Sequence, residues 1–230
     1  MKYKLSNLIL LINLLKYKGL FLKKQYSKNG EDLYLKKIFK NKKYGNYIDI
    51  GAYHPYRLSN TYLLYKKGWE GINIDINKRS IDLFNIARPN DINLNIAISN
   101  KKEKKIFYYK KELYPMNTMN KEFGKKFIFR FKENFKKGFV MSQPFSYVAK
   151  KIKKNIDLLN IDVEGHEYEV LKGINFKKNK FKIILIEISH FNKETNKNAK
   201  KIRSLLLRNN YKYIKDLGET SIYKYQKKLH

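Results

Sequence analysis

The chain has 230 residues, of which 43% are apolar, so it can bury the core of one ordinary domain but not the cores of two. It contains no cysteine, which excludes disulfides, thiolate catalysis and cysteine zinc sites, and it is predicted to be cytoplasmic. The formal net charge of +31 indicates either a polyanion-binding surface or the lysine-rich composition of an A/T-rich genome. We favour the second, because only six of the 51 basic residues are arginine.

Residues 1–43 are predicted to form a helical N-terminal extension. An apolar run from Leu5 to Leu15 follows a basic start and is interrupted by Asn7 and Asn13. The run is shorter than the roughly 20 residues of a membrane span and lacks a signal-peptide cleavage site. It favours a helix that docks on the domain or makes a peripheral membrane contact. A second helix is predicted to begin within 27–32 and to turn four apolar residues toward the sheet: Leu33, Leu35, Ile38 and Phe39.

From residue 44 to residue 230, short β-rich runs alternate with helical segments. This alternation predicts an α/β fold with a doubly wound, mostly parallel seven-stranded sheet and helices on both faces. Strands are predicted at 47–50, 72–76, 92–98, 156–163, 183–188, 211–215 and 221–225, and an extra edge strand at 104–109. Helices are predicted at 60–67, 78–87, 145–153, 167–171 and 197–209. The long insertion at 110–144 is predicted to act as a lid or binding loop.

A single-glycine turn follows the first predicted strand, with the pattern Asp49-x-Gly51-x-Tyr53. In open α/β sheets, ligands bind beyond the carboxyl ends of the strands. Gly51 allows a close approach of backbone to ligand, and Asp49 is predicted to bind the ammonium of a methionine moiety, directly or through water. The alternative is an ordinary strand-to-helix turn.

The second and third strands supply the rest of the predicted nucleoside site. Asp75, about two dozen residues beyond the turn, is placed to accept both hydroxyls of a ribose, although an aspartate there can also cap a helix. Asn95 and Ala97 are predicted to flank the adenine. The predicted S-adenosylmethionine site comprises Asp49, Gly51, Tyr53, Asn60, Asp75, Ile76, Asn95 and Ala97.

Acidic and histidine residues follow the fourth and fifth predicted strands. The predicted catalytic residues are Asp162, Glu164, His166, Glu187 and His190. A substrate group that is a weak acid needs a base or a metal ion to lose its proton. A carboxylate-flanked histidine fits the first role, and four of the residues, Asp162, Glu164, Glu187 and His190, fit Mg²⁺ or Mn²⁺. His54 also follows a strand, and for each histidine a surface or capping role is the alternative.

Several stretches resemble the FkbM family of S-adenosylmethionine-dependent methyltransferases. The matching segments are 27–32, 47–55, 59–61, 68–71, 156–167 and 183–187, and the run Asp162-Val-Glu-Gly-His-Glu is the most specific. The resemblance implies a class I, Rossmann-like methyltransferase that modifies a hydroxyl, often on a sugar or glycan precursor. Lys28, Asp75 and Asn160 stand where that family usually has Gln, Glu and Lys.

The predicted acceptor is therefore a nucleotide sugar or a glycan precursor, with no specific nucleic-acid partner. Lysines and arginine near Tyr114 indicate either a site for a nucleotide-diphosphate sugar or a solvated basic loop; they are Lys125, Lys126, Arg130 and Lys132. An RNA methyltransferase and a non-catalytic basic scaffold that binds membrane or glycan remain alternatives. The sequence makes no prediction of oligomeric state.

Overall fold

The computed structural model describes residues 2–18, 24–111, 113–122, 124–125, 135–152, 155–188 and 193–227, with backbone alone at 2–7, 18 and 193–197. The strands of this part are β1 (Asn46–Ile50), β2 (Glu70–Ile74), β3 (Ile92–Leu94), β4 (Ala97–Ser99), β5 (Glu103–Tyr109), β6 (Lys136–Pro144), β7 (Ile156–Ile161), β8 (Phe181–Glu187), β9 (Tyr211–Leu217) and β10 (Thr220–Tyr225). The helices are α1 (Lys2–Lys18), α2 (Glu31–Ile38), α3 (Tyr62–Lys66), α4 (Lys78–Ala87), α5 (Phe145–Ala149), α6 (Glu167–Lys172) and α7 (Lys193–Arg208).

Seven strands form the main sheet in the order β3-β2-β1-β7-β8-β10-β9. All neighbours pair in parallel except β10, which is antiparallel to both β8 and β9. The predicted doubly wound, mostly parallel sheet is therefore confirmed. The strand order reverses between β1 and β7, which makes their carboxyl ends the position where such sheets bind ligands.

The predicted strand at 92–98 is two strands in two sheets. Residues 92–94 pair with β2, whereas residues 97–99 pair with β6 in a separate three-stranded sheet of order β4-β6-β5. The predicted edge strand at 104–109 is confirmed as β5, at the edge of this second sheet. Residues 136–144 of the predicted insertion are its middle strand, so part of the insertion is regular structure.

Buried apolar side chains cover both faces of the main sheet, and all six residues of β7 are buried. On one face, the core includes Val148 of α5, Leu171 of α6 and Leu206 of α7. On the other face, Leu35 of α2 and Leu64 of α3 join a second cluster. The predicted helices on both faces are thus present.

Helix α2 buries a narrower face than predicted. It begins at Glu31, after a loop in which the Ser27 hydroxyl donates to Asp32 at 2.6 Å. Leu35 and Phe39 are buried, but Leu33 and Ile38 are 38% and 37% exposed, so their predicted orientation is wrong. At 100° per residue, Leu35 and Phe39 lie one above the other, while Leu33 points away from both.

Helix α1 packs against α4 and the loop after β1. Its buried residues Leu10 and Leu14 form a cluster with Tyr56 and Leu83. Among the helices that the structure describes, none is long and apolar enough to cross a membrane.

Candidate active site

A pocket of about 520 Å³, open mouth included, lies at the carboxyl ends of β1, β2 and β7. Its lining residues include Gly51, Tyr53, Asp75, Ile76, Ala97, Tyr114, Asn117, Met119, Asp162, Val163 and Glu164. Residues 114–119 of the insertion therefore cover one side of the pocket, and their action as a lid or binding loop stays a prediction.

Gly51 makes the turn after β1 where no larger residue fits. Its φ is +83°, and its N–H donates to the Ile74 carbonyl at 2.8 Å. A Cβ added at Gly51 would lie 1.6 Å from the carbonyl oxygen of Asp162. The turn and the end of β7 are therefore in direct contact, which forms the floor of the pocket.

Asp75 is buried and reaches the pocket after β2. One of its oxygens accepts from the Tyr53 N–H at 2.8 Å and the other from the Asn77 N–H at 2.7 Å. Burial raises the pKa of Asp75 to about 6; the nearby carboxylates Asp49 and Asp162 act in the same direction, and the two backbone hydrogen bonds oppose them. Each oxygen keeps a lone pair, so this carboxylate can still accept hydrogen bonds from vicinal hydroxyls.

The pocket beside Asp75 is apolar. Ile76, Ala97, Ile98 and Met119 line it, which suits the faces of a planar base. Asn95 is exposed and is not among the lining residues; its amide donates to the Asp75 carbonyl at 2.9 Å instead. The predicted residues Ile76 and Ala97 thus lie in the pocket, while Asn95 buttresses the turn beside it.

Asp49 and Asn60 lie behind the pocket and are not among its lining residues. The Asp49 carboxylate accepts from Thr61 Oγ1 at 2.7 Å and from Asn160 Nδ2 at 2.8 Å. Asn60 Nδ2 donates to Asn160 Oδ1 at 3.0 Å. This network ties β1 to β7 and to the start of α3. A direct contact of Asp49 with a ligand stays a prediction.

Three carboxylates meet at the ends of β7 and β8. One oxygen each of Asp162, Glu164 and Glu187 lies within 4.8 Å of the others, so the structure brings together these three of the five predicted catalytic residues. Desolvation raises the pKa of Asp162 to about 6. Desolvation and repulsion by Asp162 hold the pKa values of Glu164 and Glu187 well above their usual range. Asp162 Oδ1 is buried and has no hydrogen-bond partner among the described residues.

The loop after β7 holds Glu164 in a left-handed conformation, with φ +53°. Thr118 Oγ1 donates to the Glu164 carbonyl at 2.7 Å, and Asn120 Nδ2 donates to the Gly165 carbonyl at 3.1 Å. The Glu167 carboxylate accepts from the N–H groups of residues 163 and 165 at 3.1 and 3.0 Å. The insertion and α6 therefore fix the loop from two sides.

Lys28 lies near the carboxylates, and the sequence did not predict that position. Its ammonium pairs with Glu219 at 2.8 Å, between the N-terminal segment and the turn that joins β9 to β10. Its charge lowers the pKa values of Asp162 and Glu164, against the raising effect of burial. The pair joins residues 191 positions apart, so no local pattern could have indicated it.

The two histidines of the described residues, His54 and His166, do not join the carboxylates. His54 is buried: Nδ1 accepts from the Tyr56 and Arg57 N–H groups at 3.0 Å, so Nε2 carries the proton and donates to Asn13 Oδ1 at 2.9 Å. Burial lowers the pKa of His54 to about 3, and that of His166 is also lowered by burial. His166 precedes α6 and is not among the pocket-lining residues of the described chain. His190 lies outside the described residues, as do Lys126, Arg130 and Lys132.

Comparison with known proteins adds the family. The methyltransferase FkbM domain matches residues 49–213, more than two-thirds of the chain. No curated protein matches the chain significantly.

Two solved structures are similar at low identity. A TehB-like S-adenosylmethionine-dependent methyltransferase from Corynebacterium glutamicum ATCC 13032 Kitasato is 9% identical, with 96% of this chain and 100% of that chain covered and a TM-score of 0.46. A fibrillarin/Nop5p complex is 14% identical, with 92% and 80% covered and a TM-score of 0.42. From the domain match and the strand order, the chain belongs to the FkbM family of S-adenosylmethionine-dependent methyltransferases and has their class I, Rossmann-like fold.

Proposed function

We propose that the protein transfers a methyl group from S-adenosylmethionine to a sugar hydroxyl, on a nucleotide sugar or on a precursor of a surface glycan such as capsule or lipooligosaccharide. The observation that carries this proposal is the cluster of Asp162, Glu164 and Glu187 beside the cofactor pocket. Carboxylates accept hydrogen bonds from hydroxyl groups, which are what a sugar offers in number.

The cofactor assignment follows the pocket chemistry. Asp75 would accept the ribose hydroxyls, and Ile76 and Ala97 would contact the adenine. Gly51 and Tyr53 would bring their backbone to the methionine end. Asp49 and Asn60 would act by holding the turn through their hydrogen bonds to Asn160 and Thr61. When bound, the cofactor supplies an electrophilic methyl group on a sulfonium sulfur.

The carboxylates would activate the acceptor. Their raised pKa values make them stronger bases than ordinary carboxylates, so one of them can take the hydroxyl proton as the new O–C bond forms and the C–S bond breaks. The proton then leaves to solvent when product departs. Holding oxygen, carbon and sulfur in line supplies a further large part of the acceleration.

Two alternatives for activating the hydroxyl predict different results. The three carboxylates are hard oxygen ligands close enough to hold Mg²⁺ or Mn²⁺, which would acidify the hydroxyl instead. In the second alternative, His166 or His190 would be the base that takes the hydroxyl proton. If the carboxylates act as the base, chelation by EDTA leaves turnover unchanged, and His166→Ala retains it. Loss of turnover with EDTA that Mg²⁺ restores assigns the cluster to a metal.

The acceptor preference separates this proposal from an RNA methyltransferase and from a scaffold without activity. Three clustered carboxylates repel a phosphate backbone brought close to them, so they disfavour RNA at the reacting position. Labelled S-adenosylmethionine should be incubated with nucleotide sugars, glycan precursors and RNA. We expect label on a sugar; site-specific label on RNA with none on any sugar overturns the proposal, and label on no acceptor with no cofactor binding supports the scaffold.

The carboxylate variant Glu187→Gln tests the cluster directly. We expect turnover to fall by about 100-fold or more, because a positioned base contributes mainly in the transition state. Affinity for S-adenosylhomocysteine should be kept. The control Asp82→Asn removes a carboxylate that pairs with Lys78 on α4, and we expect normal turnover from it. Equal turnover in Glu187→Gln and the control contradicts the assignment.

A further inference from the structure

Helix α1 carries apolar side chains on two opposite faces. Leu10 and Leu14 are buried on the domain, each 4% exposed. Leu8, Ile9, Leu11, Ile12 and Leu15 are between 45% and 59% exposed. At 100° per residue, Leu8, Leu11, Ile12 and Leu15 fall within a sector of about 100° whose centre lies about 150° from Leu10. We call the five exposed residues, which are Leu8, Ile9, Leu11, Ile12 and Leu15, the outer face of α1.

We propose that the outer face of α1 docks on an anionic membrane surface, with the helix axis parallel to the bilayer plane. Because the inner face is packed against Tyr56 and Leu83, only one side of the helix is available to lipid. A helix held in this way can insert its outer side chains to the depth of the interface but cannot cross the bilayer, which agrees with the lack of a spanning helix among the described residues.

The positive charge of the protein indicates which partner covers the outer face. The chain carries a net charge of +31, and its exposed Lys16 and Lys24 lie in or just after α1. A basic protein is attracted by the negative potential of an anionic leaflet, by about 1 kcal/mol for each lysine or arginine near the surface. A second copy of the chain would bring the same positive charge to the interface and would be repelled. The attraction holds whether the lysines arose by selection or by genome composition.

Helix α1 lies close to residues that line the pocket. The Arg57 guanidinium carbon lies 5.4 Å from the ring centre of Tyr17 on α1 and 5.9 Å from that of Tyr53 in the pocket lining. Leu113, next to the lid residue Tyr114, packs against the cluster of Leu10 and Leu14. Docking through α1 thus brings the pocket close to the bilayer. The docking proposal does not depend on the identity of the acceptor.

Co-sedimentation with vesicles tests the surface. We expect the protein to bind vesicles that contain phosphatidylglycerol and not vesicles of phosphatidylcholine alone. The double variant Leu11→Glu, Leu15→Glu should lose at least tenfold in binding, whereas the control Leu207→Glu, at a site 59% exposed on α7, should not. Equal binding by both variants assigns the attraction to lysines alone and overturns the proposal. Dimers in light scattering that the double variant abolishes overturn it in favour of a second copy.

A second test uses single cysteine substitutions, which leave most of the outer face unchanged. The chain has no cysteine, so Leu15→Cys and Leu207→Cys can each carry one environment-sensitive fluorophore. We expect a blue shift on addition of phosphatidylglycerol vesicles for the label at residue 15 and none for the label at residue 207. Lack of a shift at residue 15, or equal shifts at both positions, contradicts docking through α1.

Discussion

The tightest requirement on a single residue falls on Gly51. Its positive φ and the contact of a Cβ with the Asp162 carbonyl act together there, whereas at Gly30 a similar φ of +86° occurs with the nearest atom, Gln25 Oε1, 3.9 Å from a Cβ. Alanine at either position would incur a backbone strain of about 1–2 kcal/mol, but only at position 51 would it also collide with a neighbouring carbonyl. Comparing the two substitutions therefore separates backbone strain from crowding.

We expect Gly51→Ala to destabilise the protein by about 2 kcal/mol or more beyond Gly30→Ala and to abolish S-adenosylhomocysteine binding, because the turn must move away from β7. Urea unfolding gives the stabilities and calorimetry gives the affinity. Equal costs at the two positions would show that the turn relaxes without disturbing the pocket.

Asp75 gives the second prediction for a single residue. Replacement by asparagine keeps the shape but removes the charge that would accept two ribose hydroxyls. We expect Asp75→Asn to weaken S-adenosylhomocysteine binding by about 1–3 kcal/mol. Affinity should also fall in the wild type as the pH drops below about 6, where Asp75 takes up a proton. Calorimetry that finds unchanged affinity in the variant removes Asp75 from the site.

Most helices and strands lie where the hydrophobic pattern predicted them, and the two errors involve partners that are distant in the chain. The predicted strand at 92–98 divides because residues 97–99 pair with residues 142–144 of β6, which come 45 positions later in the chain. Helix α2 has eight residues, so it presents a single narrow face to the core. In both cases a partner distant in sequence decides which residues are paired or buried.

His54 attaches α1 to the loop after β1 and makes that attachment sensitive to pH. Because its pKa in the folded chain is lowered to about 3, the unfolded chain takes up the proton first. The stability that neutral His54 contributes is present above about pH 6.5 and is lost as the pH falls toward 3.

Between about pH 7 and pH 5, we expect this effect to cost the wild type about 2 kcal/mol of unfolding free energy, and His54→Gln to lack it. The carboxylates with raised pKa values act in the opposite direction, but they are common to both proteins and cancel in the comparison. Urea unfolding at the two pH values measures the difference, and parallel pH profiles for the two proteins would disprove the role of His54.

The whole molecule has a net charge of +31, whereas its candidate active site contains a cluster of carboxylates. The surface charge attracts any polyanion, while the carboxylates disfavour phosphates at the reacting centre. Binding of nucleic acid to the surface and methylation of an acceptor are therefore separable properties.

We expect RNA binding to this protein to be nonspecific and to disappear as salt rises from about 50 to 200 mM, because counterion release drives it. Methyl transfer to a nucleotide sugar should decline less over the same range, since fewer phosphates are engaged. Filter binding and label incorporation measured side by side make this comparison. RNA binding that persists at the higher salt would point to a selected nucleic-acid surface.

The amino-acid sequence by itself determined the seven-stranded sheet, the Gly51 turn and the position of Asp75, because strand and helix periodicity and strand-end residues are local signals. Tertiary structure alone decided which strand-end residues reach the pocket. Asp49 faces a network behind it, and Lys28 meets Glu219 across 191 positions. The histidines were predicted to share the rim with the carboxylates, yet packing directs His54 toward α1. Such choices depend on contacts between elements far apart in the chain, which no local pattern records.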